Sequence, residues 1–219
     1  MALLEIKNLT KIYETNITAL QGINLSLDKG EFKILLGPSG AGKTTLFKLI
    51  NLEEKPSSGE IIFDQFESNK IKRTEIQLWR RKIGVIFQDL KLLKDRTVFE
   101  NLALMQRILG KKEKEIKSKT MEILSLVGLA TKRNFLAEKL AQGEKQKLAV
   151  ARACVHNPVL ILADEPTGHL DKETAKEILN ILLNFNKSGS SLLLATNQME
   201  LTAEISSNII KIKEGRLVQ

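Results

Sequence analysis

The sequence predicts an α/β fold, a parallel sheet covered by helices on both faces, with a helical lobe inserted between its strands. Three observations predict it. Gly37-Pro38-Ser39-Gly40-Ala41-Gly42-Lys43-Thr44-Thr45 fits the G-x-x-x-x-G-K-[ST] phosphate-loop pattern, between an apolar strand-like run over 32–36 and a helix-like run over 45–50. Apolar runs at 83–87, 159–163 and 191–196 alternate with helical patterns, as strands buried on both faces do. From residue 90 to about 155 the pattern is mostly helical and charged, without strand-like runs.

In chain order, residues 3–12 alternate apolar and polar and predict a strand of edge character. Residues 23–27 repeat that alternation, and Asp28-Lys29-Gly30 turns the chain into the strand before the phosphate loop. Pro56-Ser57-Ser58-Gly59 reads as a turn and residues 60–63 as a further strand, while Gln88-Asp89 ends the strand at 83–87. Beyond the helical block, the run at 159–163 ends in Asp164-Glu165-Pro166, residues 172–185 form an amphipathic helix, and residues 208–213 with Gly215 and Arg216 close as a strand and turn.

A chain of 219 residues, 42% hydrophobic, is long enough for one large α/β domain. Its longest apolar runs fall far short of the roughly 18 residues that a membrane span needs. Met1-Ala2-Leu3-Leu4-Glu5 lacks the pattern of a signal peptide, and the single Cys154 suits a reducing compartment. The net charge of +8 is compatible with an anionic lipid surface, or with a nucleotide site plus solvated lysines. Much of it lies in residues 111–119, where alternating signs predict an exposed helix face. Nucleic acid is the weaker partner, because Trp79, Tyr13 and eight Phe form no RNA-binding aromatic motif.

The phosphate loop predicts a nucleoside triphosphate. Its glycines let several N–H groups point at one anion, and the helix start behind them adds about half a positive charge. Lys43 can reach the outer phosphates, and the Thr44 hydroxyl can hold Mg²⁺. In a parallel sheet, ligands gather at the carboxyl ends of strands, where Asp164-Glu165 would lie. Alone, that pair would as readily cap a following helix. Beside a phosphate loop, Asp164 is expected to hold Mg²⁺ and Glu165 to orient or deprotonate water.

The order of these motifs resembles the ATP-binding subunits of ABC transporters over essentially the entire chain. The resemblance implies one ABC ATPase domain over 1–219: a nucleotide-binding core from 1–89 and 156–219, with an N-terminal antiparallel β subdomain, and a helical signature subdomain at about 90–155. It gives Tyr13 a place stacked on adenine and Gln88 one on Mg²⁺ and water, facing a membrane partner. Taken singly, those two residues would be read as packing and as a strand terminus. Leu140-Ala141-Gln142-Gly143-Glu144 occupies the signature motif, and Thr167-Gly168-His169-Leu170-Asp171 looks like the loop that crosses the dimer interface. His169 in that loop could approach the partner's site, and reads first as a solvated loop residue. Residues 84–98 resemble the cell-division branch of the family, whose members pair with the membrane protein FtsX; lipoprotein-release and macrolide-export ATPases share much of the pattern.

The expectation is an ATPase using ATP and Mg²⁺, homodimeric on ATP binding. It would be peripheral at the cytoplasmic face of the inner membrane and would drive an FtsX-like integral membrane protein that regulates cell-wall hydrolases. Leu90, Leu92, Leu93 and Val98, among Lys91, Lys94 and Arg96, are expected to form the groove that receives it. Two departures weigh on turnover. The family's signature reads L-S-G-G-[EQ], and here Ala141 and Gln142 replace the serine and the first glycine, a lost charged hydrogen bond of roughly 1.5–3 kcal/mol. Asn197 stands where the family has a histidine on the γ-phosphate, a loss on the order of 10²–10³ in rate. A nucleotide-gated scaffold with little turnover is therefore the competing expectation. A soluble ABC ATPase acting on DNA or ribosomes fits poorly, since those usually carry two cassettes or a long coiled insert.

Overall fold

The computed structural model describes residues 2–199 and 208–218. The alternating first segment forms β1 (Ala2–Ile12), which buries Leu4, Ile6 and Leu9. The step from Ile6 to Leu9 breaks the period of two because Asn8 is left-handed, with φ 46°, at a register shift against β2 (Thr18–Asp28). β1 pairs with β2 on one side and with β4 (Ser58–Phe63) on the other, and β5 (Phe66–Glu67) completes an antiparallel sheet ordered β2-β1-β4-β5. β1 is therefore interior, contrary to the edge character expected, since neighbours brought by residues fifty positions away leave no trace in its own alternation. Gly59 belongs to β4, not to the preceding turn. At φ 82° it lies so close to the Asn8 bulge that a Cβ there would meet the Asn8 carbonyl oxygen at 2.3 Å.

The second sheet is ordered β10-β9-β3-β8-β7-β6, built from β3 (Phe32–Leu36), β6 (Ile83–Ile86), β7 (Leu160–Asp164), β8 (Ser191–Thr196), β9 (Ile209–Lys213) and β10 (Arg216–Val218). All its pairings are parallel except β10 on β9. Its apolar strands feed two cores, one on each face. Ile161 and Ala163 of β7 pack with the helices α3 (Val98–Ile108), α4 (Glu113–Leu126), α5 (Gln142–Cys154) and α6 (Lys172–Lys187). Leu160 and Leu162 pack with α1 (Lys43–Ile50) and the antiparallel sheet. This two-sided burial is why β7 and β8 read as unbroken apolar runs.

The helical block is α3, α4 and α5 with two short 3₁₀ turns between the last two. Thr97 caps α3 in a capping box with Glu100, and the charged residues of 113–119 lie on the outer face of α4, with Lys111 and Lys112 just before it and Ile116 buried. Of the expected docking groove, Leu90 and Val98 are buried in the core, and Leu92 and Leu93 alone of its apolar set stay half-buried. Val98 packs in the core of the helical lobe, which leaves Leu92 and Leu93, among the exposed Lys91, Lys94 and Arg96, as the accessible part of that set. Among the described residues, no helix is long and apolar enough to cross a membrane.

Among the elements that escaped the sequence is α2 (Ile76–Arg81), short and charged, whose buried residue is Trp79. The indole N–H donates to the Ile50 carbonyl at 2.8 Å, and its ring lies 5.2 Å from that of Phe63. Trp79 thereby anchors the end of the phosphate-loop helix to the antiparallel sheet. Trp79→Ala should cost about 3–5 kcal/mol of stability, and Trp79→Phe about 1–3 by stranding the Ile50 carbonyl, as read from urea unfolding followed by circular dichroism.

Candidate active site

The site is built at the carboxyl ends of three adjacent strands, β3, β8 and β7. The phosphate loop leaves β3, and two of its glycines are required by close approach. A Cβ at Gly37 would stand 2.3 Å from the Ile212 carbonyl oxygen. One at Gly42, φ 106°, would stand 2.7 Å from that of Ala19. The loop runs from Gly37 through Pro38, Ser39, Gly40 and Ala41 to Gly42, and α1 begins at Lys43, two residues earlier than the sequence pattern suggests. Thr45 lies in its first turn.

Lys43 is only 6% exposed. Its Nζ donates to the Gly37 carbonyl at 2.7 Å and the Pro38 carbonyl at 3.1 Å, and lies 3.2 Å from Glu165 Oε1. Three contacts match the three protons of an ammonium, so an entering phosphate must displace at least one of them. One residue on, Thr44 Oγ1 donates to Asp164 Oδ2 at 2.7 Å. Burial pushes the Asp164 carboxyl pKa up and the neighbouring Glu165 charge adds to this, opposed by the Thr44 hydrogen bond and by Lys43.

β8 lies between and ties the two sides together. Gly37 N–H donates to the Thr196 carbonyl at 3.1 Å, and Glu165 N–H donates to that of Ala195 at 2.9 Å. Asn197 N–H donates to Glu165 Oε2 at 3.2 Å. Glu165 is left-handed, φ 46°, a strained turn directly after the strand that brings its carboxylate back over β8. Thr196 was missed by sequence reasoning because it acts through its carbonyl, which any residue supplies.

Tyr13 is half-buried, with its hydroxyl 3.4 Å from Thr45 Oγ1 and the Lys11 ammonium 5.0 Å from its ring. On the opposite side, a cavity of about 570 Å³ is lined by Thr44, Asp164, Gln88 and His169, with Lys48 and Lys91 among its cations. His169, exposed and left-handed at φ 62°, stands at this rim. Among the described residues, no group of three or more His, Cys, Asp or Glu could hold a metal by itself. A hydroxyl, one carboxylate and an amide fit an ion that takes its remaining ligands from substrate phosphate and water, as Mg²⁺ does.

The remaining predicted residues form a separate group. Ala141 is the N-cap of α5; its N–H donates to the Glu144 carboxylate at 3.1 Å, and an alanine side chain returns nothing. Glu144 also pairs with Lys132, which holds its carboxyl below the usual range. Gly143 abuts α6, where a Cβ would meet Thr174 Cγ2 at 2.8 Å, and Asp171 caps α6 by accepting from Thr174 N–H at 2.9 Å. No hydrogen bond among the described residues joins Ala141, Gln142, Gly143, Glu144 or Asp171 to the phosphate loop. The structure thus brings together Tyr13, the phosphate loop, Gln88, Asp164, Glu165 and Asn197, and sets the signature residues apart.

The model of the family described as ABC transporter matches residues 20–168. The chain is 40% identical over 219 residues, 100% of its length and 95% of the relative's, to the cell division ATP-binding protein FtsE of Streptococcus pneumoniae. It is 41% identical over 99% of its length to the methionine import ATP-binding protein MetN of Haemophilus influenzae, of which it covers 64%. Among solved structures, the dimeric post-hydrolysis state of the ATP-binding cassette MJ0796 bound to ADP and Pi superposes with a TM-score of 0.90 at 33% identity, covering 99% of this chain and 97% of that one. With the phosphate loop, the carboxylate pair at the end of β7 and the parallel sheet already in place, the chain belongs to the ABC transporter family, as an ATP-binding subunit and a phosphate-loop ATPase.

Proposed function

We propose that this chain binds ATP with Mg²⁺ between Tyr13 and the Thr44–Asp164 face, closes on it as a homodimer, and drives an FtsX-like integral membrane protein in cell division. The observation that carries the reading is the enclosed Lys43, held by Glu165 and by two carbonyls of its own loop. Incoming phosphates take over the ammonium, and Glu165 is left as a free carboxylate to orient or deprotonate water. Asn197 N–H keeps that carboxylate in place from β8. Mg²⁺, held by Thr44, Asp164 and Gln88, would neutralise charge on the phosphates. Ala141, Gly143, Glu144 and Asp171 lack a partner in one copy's phosphate site, and a second copy's bound nucleotide is the ligand they would serve. The dimeric cassette MJ0796 supports that arrangement.

The likeness to the FtsE proteins of several bacteria favours cell division at the cytoplasmic face of the inner membrane, with regulation of cell-wall hydrolases as the output. The comparable likeness to MetN makes an importer subunit the second reading. Purification of the tagged chain from its own membranes, with ATP present, separates them: an FtsX-like protein should come with it, and a transporter permease in its place would overturn the division role. In the same preparation Lys43→Ala should weaken ATP binding at least 100-fold by calorimetry, since a buried ammonium on the phosphates is lost. Unchanged affinity would overturn the site.

Turnover should be slow, because Asn197 and Ala141 each supply less to the transferring phosphoryl than a histidine and a serine would. In single-turnover phosphate release with the membrane partner present, Asn197→His should raise the rate at least several-fold. Adding Ala141→Ser and Gln142→Gly should raise it further. A wild type that is already fast, or a restored variant that is no faster, would point to another group at the rim, with His169 the candidate.

A further inference from the structure

The loop that leaves β6 turns through two successive left-handed residues, neither of them glycine: Leu90 at φ 59° and Lys91 at φ 44°. An L side chain disfavours that region because its Cβ crowds the following carbonyl, so the surroundings must hold it there. Local bonds do part of this, with Leu90 N–H donating to the Phe87 carbonyl at 3.0 Å and Lys91 N–H to that of Asp89 at 2.7 Å. The Leu90 side chain is buried, and the Lys91 ammonium lies 4.0 Å over the Phe87 ring.

The remaining constraint comes from sixty residues away. Arg152, near the end of α5, donates from Nη2 to the Leu90 carbonyl at 2.7 Å and from Nη1 to the Lys91 carbonyl. Its neighbours Ala151, Ala153 and Cys154 are core residues. Burial disfavours the charged guanidinium, and Asp89 opposes that effect. A half-buried guanidinium with its planar fork spread over two carbonyls of one strained turn is a specific arrangement that a lysine cannot reproduce. The turn it grips supplies Phe87, Gln88, Asp89 and Lys91 to the wall facing Thr44 and Asp164.

We propose that Arg152 is a positioning residue for Gln88: by spanning the Leu90 and Lys91 carbonyls it fixes the left-handed pair that keeps Gln88 at the Thr44–Asp164 cavity. This rests on the reading of Thr44, Gln88 and Asp164 as the Mg²⁺-holding group. α5 then carries the signature residues at its start and the grip on the Gln88 turn near its end, about 15 Å apart at 1.5 Å per residue. One helix thus carries both the signature residues at Ala141 and the grip on a wall of the Thr44–Asp164 cavity.

The test follows binding of a fluorescent, non-hydrolysable ATP analogue to the full chain as Mg²⁺ is titrated, together with amide exchange of residues 87–92. Arg152→Met should raise the Mg²⁺ midpoint about fivefold or more and speed exchange of those amides. Arg152→Lys, which keeps the charge and guards against loss of folding, should recover little of it. In a Gln88→Ala background, Arg152→Met should add less than twofold. Glycine at both Leu90 and Lys91, which adopts the turn unaided, should restore most of the midpoint to Arg152→Met. A folded Arg152→Met or Arg152→Lys with the wild-type midpoint, or an effect undiminished by Gln88→Ala, would overturn the proposal. Asp164→Asn is the separate control: an unmoved midpoint there would overturn the metal reading, and with it the role given to Arg152, whatever the Arg152 variants do.

Discussion

An almost fully enclosed ammonium at the head of a helix needs negative partners, and at Lys43 they come from two directions. Two are carbonyls of its own loop, and the third is the Glu165 carboxylate, which arrives from a strand two places away in the sheet. Leaving that charge unpaired would be strongly destabilising, while removing the lysine would strand the loop carbonyls. The loop, the end of β7 and the turn at Glu165 therefore have to be placed together. β8 sets the spacing, because its terminal carbonyls at Ala195 and Thr196 receive one N–H from each side. The Thr44–Asp164 hydrogen bond repeats the same crossing one residue on.

The charged and hydroxyl side chains at the head of α1 and the end of β7 are thus matched to one another. The Lys43, Thr44, Asp164 and Glu165 side chains are paired with protein groups, which avoids leaving their buried polarity unmatched and would make binding at these four an exchange of contacts. On the proposed function, that exchange would also order the chemistry, since phosphate arriving on Lys43 would release Glu165 for work on water. The strain at Glu165, Leu90 and Lys91 is concentrated around this site, where the sheet, Arg152 and the core determine the backbone.

Local pattern carried much of this into the sequence. The phosphate loop needs particular residue types at fixed spacing, and strands buried on both faces leave apolar runs, so β3 and β8 are found at the residues expected, 32–36 and 191–196. What the sequence hid depends on distant partners. β1 carries no sign of the second neighbour that makes it interior, and α2 is a helix because Trp79 finds Ile50 and Phe63. Leu90 and Val98 look like surface anchors in a charged stretch and are core residues. Arg152 reads as one more cation in a basic chain, because the two carbonyls it grips lie sixty residues away. The motifs named Ala141, Gly143, Glu144 and Asp171, yet only the fold shows that they stand apart from the phosphate loop.

The central claim is that Glu165 holds Lys43 until phosphate replaces it. ADP binding to the isolated chain tests this most directly, since it needs neither hydrolysis nor a partner. Because the Glu165 contact must be surrendered on binding, Glu165→Gln should bind ADP about threefold to tenfold more tightly than the wild type, with the gain absent in Lys43→Ala. Equal or weaker binding by Glu165→Gln, or the same gain without Lys43, would contradict it.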